Sequence, residues 1–173
     1  NREWVGVDLF PAVPAVQRWD LAVPCPVQDR KADLAMMLDV VEHLLNPGLG
    51  LRNVANILKP GGVLLLTTPN PRWSRSRTHH LFYGTAANFT QHDLDVNHHV
   101  FTPWPHILKK LLADVGLAVE EYVTLDGREG WPPTLSPALP LVLLEAAGRK
   151  LIERFDRSAC GMSIAFVTRL KAG

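Results

Sequence analysis

The chain is poor in cysteine, with only Cys25 and Cys160 among 173 residues. They form no CxxC and no framework spacing, which argues against a disulfide scaffold; both are expected as free thiols in a reducing compartment. With no signal peptide in view, the expected location is cytoplasmic. An excess of one charge is lacking as well, since 18 Lys and Arg are set against 17 Asp and Glu, a formal net of +1. That balance gives no electrostatic case for nucleic acid or an anionic membrane surface as partner. No apolar run approaches the roughly 20 residues of a membrane span. Internal repeats and low-complexity segments are absent too. What remains is globular, with 47% hydrophobic and 20% charged residues, long enough to bury a core. Residues 1–173 are therefore expected to form one domain.

Strands and helices alternate along the chain. "WVGVDLF" from residue 4 and a short run over 16–21 read as strands, the second closed by Pro24 and Pro26. "ADLAMMLDV" (32–40) is apolar on both faces, the pattern of a central parallel strand covered by helices. Pro47 marks a helix start, apolar residues at 51, 54, 57 and 58 keep a helical spacing, and "PGG" (60–62) should stop that helix before the strand "VLLLTTPN". Residues 70–100 are polar, basic and aromatic with little periodicity, a long connection of the kind that carries function. A helix is expected over 102–116, with Thr102 as N-cap, Pro103 at N1 and Gly116 as its stop. "LAVEEYVTL" (117–125) reads as a strand near a sheet edge, "GREGWPPTLSP" as a proline-rich loop, "ALPLVLLEAAGRKLIERF" as an amphipathic helix and "GMSIAFVTRLK" (161–171) as a last strand. This is an α/β order.

Four stretches in this order, "WVGVD", "ADLAMMLDVVEHLLNP", "NILKPGGVLLLTTPN" and "HHVFTPWPHILKKLLADVGLAV", resemble the class I S-adenosylmethionine-dependent methyltransferases, and within them the ubiquinone-biosynthesis-like branch. The resemblance runs from about residue 4 to 125. It implies a Rossmann-like, mostly parallel sheet with helices on both faces and an antiparallel last strand, with segments 70–100 and 126–157 as insertions. It also implies S-adenosylmethionine as cofactor, bound beyond the carboxyl ends of the strands. On this reading Asp8, with Leu9 beside it, ends the family's second strand and accepts hydrogen bonds from the ribose hydroxyls, as a carboxylate can do for a diol. Asp20 and Leu21 fall where the adenine is contacted. Leu38, Asp39 and Val40 line the methionine part of the pocket.

One family feature has no counterpart here: the glycine-rich loop after the first strand. "WVGVD" matches the second strand, and "GLG" (48–50) follows a later one. The chain begins at Asn1 rather than Met, so it is expected to be N-terminally incomplete, with weak cofactor binding by these residues alone.

The densest polar cluster holds His79, His80, His92, His98 and His99 with Asp93 and Asp95. Its spacing matches no zinc pattern, and no metal is expected. A histidine can instead take the proton of an acceptor hydroxyl during methyl transfer. His99, which precedes "VFT" where the family places a histidine or arginine, is the candidate catalytic residue. Glu42 and His43 either brace the following helix or face substrate. "PRWSRSR" (71–77) offers three arginines around Trp73, either as a solvated loop or as an anion site; with Phe82 and Tyr83, the segment is expected to cover the acceptor side. The function implied is methyl transfer to a small-molecule acceptor, at oxygen. The alternatives are a non-catalytic methyltransferase-like binding or assembly domain and, more remotely, a nucleotide-dependent oxidoreductase, for which G-x-G-x-x-G is missing.

Overall fold

The computed structural model describes residues 3–26, 31–125 and 139–171. Among them two apolar runs meet as neighbouring strands, β3 (Ala32–Leu38) and β4 (Leu58–Pro69). They pair in parallel, with Leu34 opposite Val63 and Leu38 opposite Thr67. Parallel pairing needs a crossover, and α1 (Pro47–Ile57) supplies it. Pro47 stands at its first turn, and the Asn46 side chain accepts the Leu49 N–H as N-cap. The helix ends three residues before "PGG", because Leu58 is already extended. The glycines serve the start of β4 instead. Gly61 has φ +78°, and a Cβ on Gly62 would lie 2.9 Å from the Lys59 carbonyl oxygen and 3.1 Å from that of Ala32.

The third and fourth members of this sheet are β5 (Leu117–Leu125) and β6 (Ser163–Leu170), in the order β3-β4-β6-β5. β6 is antiparallel to both β4 and β5, so β3, β4 and β5 point one way and the last strand alone runs against them. That is the architecture expected from the sequence, including the edge position of β5, whose register slips between Val119 and Glu121. Central β6 buries Ile164 and Phe166 completely, and Leu64 and Leu66 of β4 are likewise at 0% exposure. α3 (Pro105–Asp114) adds Leu108 and Leu112, one turn apart, to the same core, together with Leu51 and Val54 of α1. It begins at Pro105 with Trp104 as N-cap, two residues later than Thr102 and Pro103 would have placed it. Either proline of "TPWP" suits a first turn, so the spacing to the buried Leu108 face decides. Gly116 follows the helix with φ +83° as expected.

Three further features depart from the expectations. Residues 70–100 hold a helix, α2 (Ser74–Tyr83), and a π-helical turn, Asp93–Asn97. α2 buries only Ser74 and Ser76, so no apolar stripe announces it; tertiary contacts hold it. α4 (Leu139–Phe155) is the helix expected near 138–155 and packs against α2, while the loop read in "GREGWPPTLSP" falls outside the described residues. β1 (Gly6–Asp8) and β2 (Val16–Arg18) form their own two-stranded parallel sheet. Consequently β3, expected to be central and covered, is an edge strand of the four-stranded sheet among the described residues, and Leu34, Met36 and Leu38 are 41%, 50% and 48% exposed.

The β1–β2 unit is attached through the chain that follows it. Trp19 is buried in the main core, with its indole N–H donating to the Val23 carbonyl at 3.0 Å. Asn53 of α1, itself buried, donates to the Leu21 carbonyl at 2.9 Å. No helix among the described residues is long and apolar enough to cross a membrane.

Candidate functional site

Polar groups gather where the parallel strands end. Asp8 closes β1; its Oδ1 accepts the Phe10 N–H at 2.7 Å, and its carbonyl accepts the Trp19 N–H at 2.9 Å. Asp20, two residues past β2, repeats the device with the Ala22 N–H at 2.8 Å. Each turn fixes one carboxylate oxygen and leaves an exposed carboxylate able to accept more hydrogen bonds. Leu9 is exposed beside Asp8, whereas Leu21 leans on the core and its carbonyl is taken by Asn53. Asp39, just beyond β3, adopts φ +50°, unusual for a residue other than glycine. Its N–H reaches the Thr67 carbonyl at 3.1 Å and hydroxyl at 3.2 Å, and Thr67 Oγ1 donates to Asp39 Oδ1 at 3.3 Å. Here two adjacent strand ends, β3 and β4, tie down a strained residue. Leu38 points outward, and Val40 packs on the core.

Directly after Asp39 the chain makes a 3₁₀ turn, Val41–His43, and buries Glu42 to 1% exposure. Thr68 donates its hydroxyl to Glu42 Oε2 at 2.9 Å; Oε1 has no partner. Burial pushes the Glu42 carboxyl above its usual range; its own backbone, the Thr68 hydroxyl and the His43 charge oppose that rise, and Asp39 adds to it. A buried oxygen without a partner costs about 1–3 kcal/mol, so this residue is placed at some expense to the fold. The Glu42 carbonyl, in turn, accepts the N–H groups of Val100 and Phe101, each at 3.0 Å.

That backbone clasp brings His99 against the turn. The rings of His43 and His99 lie 5.0 Å apart at 68°, and Phe89 flanks His99 at 5.5 Å. His99 Nδ1 lies 2.6 Å from the Asn88 carbonyl oxygen. A carbonyl can only accept, so Nδ1 carries a proton; whenever the ring is neutral, its lone pair sits on Nε2. Ligand atoms of Glu42, His43 and His99 all lie within 4.8 Å of one another. Sequence reasoning singled out His99 and left His43 open; it missed Thr68 and the grouping itself, because the partners stand 26 and 56 residues apart.

His79, Arg72 and Arg77, and the Asp93 beside the histidines, make structural contacts instead. Asp93 accepts from the Thr90 hydroxyl and N–H and from Asn97. Burial opposes ionisation of Asp93, yet these bonds and the His99 charge hold it below the usual carboxylate range. His79 bonds the Thr85 carbonyl through Nδ1 and stacks on Tyr83. Arg72 and Arg77 both reach Asp156, at 3.4 and 2.5 Å, and Trp73 is buried. Arg77 of α2 and Arg72 just before that helix are thus tied to the turn before β6 rather than left in a solvated loop or open for an anion. Asn70 of "TTPN" is fully buried and bonds the carbonyls of Ser158 and Gly161. "GLG" is packing: a Cβ on Gly50 would lie 2.5 Å from Leu44 Cδ1. Two shallow concavities, one lined by Pro24, Cys25, Lys31, Asn53, Asn56 and Ile57 and one between α1 and the end of α3, contain none of Asp8, Asp39 or His99.

Element order and strand direction give the Rossmann-like α/β architecture that the resemblance to class I S-adenosylmethionine-dependent methyltransferases implied. The chain belongs to the family described as Methyltransferase domain, whose model matches residues 2–122. The ubiquinone biosynthesis O-methyltransferase of Caulobacter vibrioides is 42% identical over 38 residues, which is 22% of this chain and 15% of that protein. Among solved structures, a SAM-dependent methyltransferase from Archaeoglobus fulgidus superposes with TM-score 0.52 at 17% identity, covering 95% of this chain and 75% of the other. The Haloferax volcanii protein solved with the Trm112 methyltransferase activator gives 0.56 at 17% identity, with 94% and 64% covered. The [4+2]-cyclase SpnF gives 0.52 at 16% identity, with 92% and 58% covered. The chain thus spans less than two thirds of several relatives, and the fold it shares with them hosts more than one reaction.

Proposed function

We propose that the chain forms part of an S-adenosylmethionine-dependent methyltransferase that methylates a small-molecule acceptor at oxygen. The observation that carries this reading is His99, held as the Nδ1–H tautomer by the Asn88 carbonyl with its Nε2 lone pair available beside the β3 and β4 strand ends. Asp8 would accept the two ribose hydroxyls, and Asp20 with the Leu21 backbone would border the adenine. The Leu38–Val40 backbone, opened by the left-handed Asp39, would line the methionine end. When bound, the cofactor supplies an electrophilic methyl group on a sulfonium. His99 Nε2 takes the acceptor's hydroxyl proton as the oxygen acquires that methyl, and Phe89 gives the acceptor an apolar wall. The 42% identity to an O-methyltransferase over 38 residues supports oxygen as the acceptor atom.

A second reading, a methyltransferase-like binding module without turnover, draws on the separation of β1–β2 from β3 and on the concavities lying elsewhere. Calorimetric titration with S-adenosylmethionine separates the two when paired with His99→Gln. Methyl transfer predicts that His99→Gln keeps cofactor affinity within about twofold while turnover falls by about 10²-fold or more. Cofactor binding with no turnover by any form, across catechol, phenol and carboxylate acceptors, favours the binding module.

A further inference from the structure

Asp93 bonds to both ends of the segment that makes the Asn88–His99 hydrogen bond. Its carboxylate accepts the Thr90 N–H at 2.9 Å and the Thr90 hydroxyl at 2.6 Å, next to Phe89 and two residues from Asn88. Its carbonyl accepts the N–H groups of His98 and His99, the latter at 3.2 Å. We propose that Asp93 is a positioning residue for His99. By tying Thr90 to His99 it closes the 88–99 loop, which keeps the Asn88 carbonyl on Nδ1 and leaves Nε2 to the acceptor. The use of Nε2 by an acceptor rests on the methyl-transfer reading; the brace itself does not.

Packing does not account for the order of this loop. The π-helical turn Asp93–Asn97 buries no residue, and Leu94 and Val96 are exposed. What holds the turn is polar: besides Thr90 and His99, Asp93 ties Asn97, whose amide donates to it at 3.1 Å. Single π-helical turns recur at functional sites. Of the three left-handed residues other than glycine among those described, two bracket this turn, Asn88 at φ +67° and His98 at φ +57°. Such conformations cost energy and persist where the surrounding structure enforces them.

At Asn88 the conformation has a visible use. The Phe89 N–H reaches the Ala86 carbonyl at 3.1 Å, so Asn88 is the third residue of a turn and takes positive φ there, and its carbonyl oxygen lies 2.6 Å from His99 Nδ1. That turn is anchored from behind, since Ala86 and Ala87 are buried and Ser76 of α2 donates to the Ala87 carbonyl. On the other side the Glu42 carbonyl takes the Val100 and Phe101 N–H groups. Asp93 spans the gap between these two anchors. The tautomer of a neutral imidazole follows the hydrogen bond its other nitrogen makes, so a fixed ring needs a fixed acceptor and a supporting shell around it.

The test reads the tautomer directly, by NMR of the imidazole nitrogens at a pH where the histidines are neutral, with no cofactor or acceptor present. The His99 signals are assigned by their loss in His99→Gln. The expected result is an Nδ1–H ring in the unaltered chain and a shift toward the Nε2–H form in Asp93→Ala. The same shift is expected in Asn88→Val, whose β-branched side chain disfavours positive φ. Asn88→Gly, free to take that φ, and Asp93→Asn, which can still accept from Thr90, should keep the Nδ1–H form. Asp95→Ala removes the other carboxylate of the turn, which holds Gln91 rather than His99, and should leave the His99 signals as they are. In turnover, Asp93→Ala should lower kcat by about tenfold or more while cofactor affinity stays within about twofold. Thermal unfolding confirms that each variant folds; should Asp93→Ala or Asn88→Val fail to, the other carries the test. An unchanged tautomer in both, an equal shift in Asp95→Ala, or an Nε2–H ring in the unaltered chain overturns the brace. A shifted tautomer with unchanged kcat supports the brace and removes His99 from proton transfer, so the two readings fail separately.

Discussion

The two sheets of this molecule are built on opposite terms. In the four-stranded sheet, β6 is paired on both sides, Phe166, Ile164, Leu64 and Leu66 are fully buried, and α1 and α3 close over the core. In the two-stranded sheet, three residues pair with three, and five of the six are exposed, only Val16 being partly covered. It holds to the rest through Trp19 and the Asn53–Leu21 hydrogen bond. Yet both sheets present carboxylates at strand ends: Asp8 and Asp20 on the thin one, Asp39 and Glu42 on the thick one. The difference teaches that the residues assigned to the ribose and adenine rest on a local, turn-made scaffold, whereas those proposed for the methionine end and the acceptor are tied into the core. Damage to the two should read out differently.

The largest effect belongs to the thick sheet. Phe166→Ala removes a fully buried ring that stacks on Tyr122 at 5.0 Å from the middle of β6. A loss of about 3–5 kcal/mol is expected, measured by urea unfolding. A loss under about 1 kcal/mol would mean that the core is not centred on β6, and the contrast between the sheets would collapse.

Next comes the thin sheet. Asp8→Asn keeps the shape of the turn, and its side-chain oxygen can still accept the Phe10 N–H, but the carboxylate's charge is gone. Weaker acceptance of two ribose hydroxyls, at about 1 kcal/mol each, should lower S-adenosylmethionine affinity by about tenfold or more while the unfolding midpoint stays put. An unchanged affinity would remove Asp8 from the cofactor site; a large fall in the midpoint would show that β1–β2 matters to stability more than its exposure indicates.

The same contrast explains what was legible in the sequence. The core strands announced themselves as uninterrupted apolar runs, and α1 and α3 as stripes ended by proline or glycine, so the succession of elements could be read in advance; the parallel strands and the antiparallel last strand were implied by the family resemblance, not by the runs. The ends of β1 and β3 could be read as well, since an aspartate closing an apolar run marks where a strand leaves the core. What escaped depends on contacts between distant residues. α2, "SRSRTHHLFY", has no apolar face and is held by Ser74 on Glu153 and by Arg77 on Asp156. The Glu42–Thr68 bond and the His43–His99 contact join segments whose approach only the folded backbone sets. The exposure of β3 escaped for a related reason: an apolar run gives the pattern of a covered strand and says nothing of which neighbour covers it.

The smallest effect lies at the tie between α2 and the turn before β6, and its sign is fixed by the charges. Asp156 accepts from the Ser158 hydroxyl, from Arg77 and from the Ser158 N–H, and these hold its carboxyl far below the usual range. A carboxyl depressed on folding contributes stability above its unfolded value of about 3.9 and loses it as pH falls further, toward the folded value. Both partners of the Arg77 pair are about one-third exposed, at 34% each, so solvent screening limits the pair to about 1 kcal/mol or less. Asp156→Asn should therefore lower the unfolding midpoint by only a few degrees at pH 7, and the gap between the two proteins should narrow below pH 4. The amide can still accept from Ser158, which keeps the turn, but it cannot neutralise Arg77 and Arg72 together. A gap that widened in acid would mean that Asp156 is held by packing rather than by charge, and the account of why a helix forms in so polar a stretch would have to change with it.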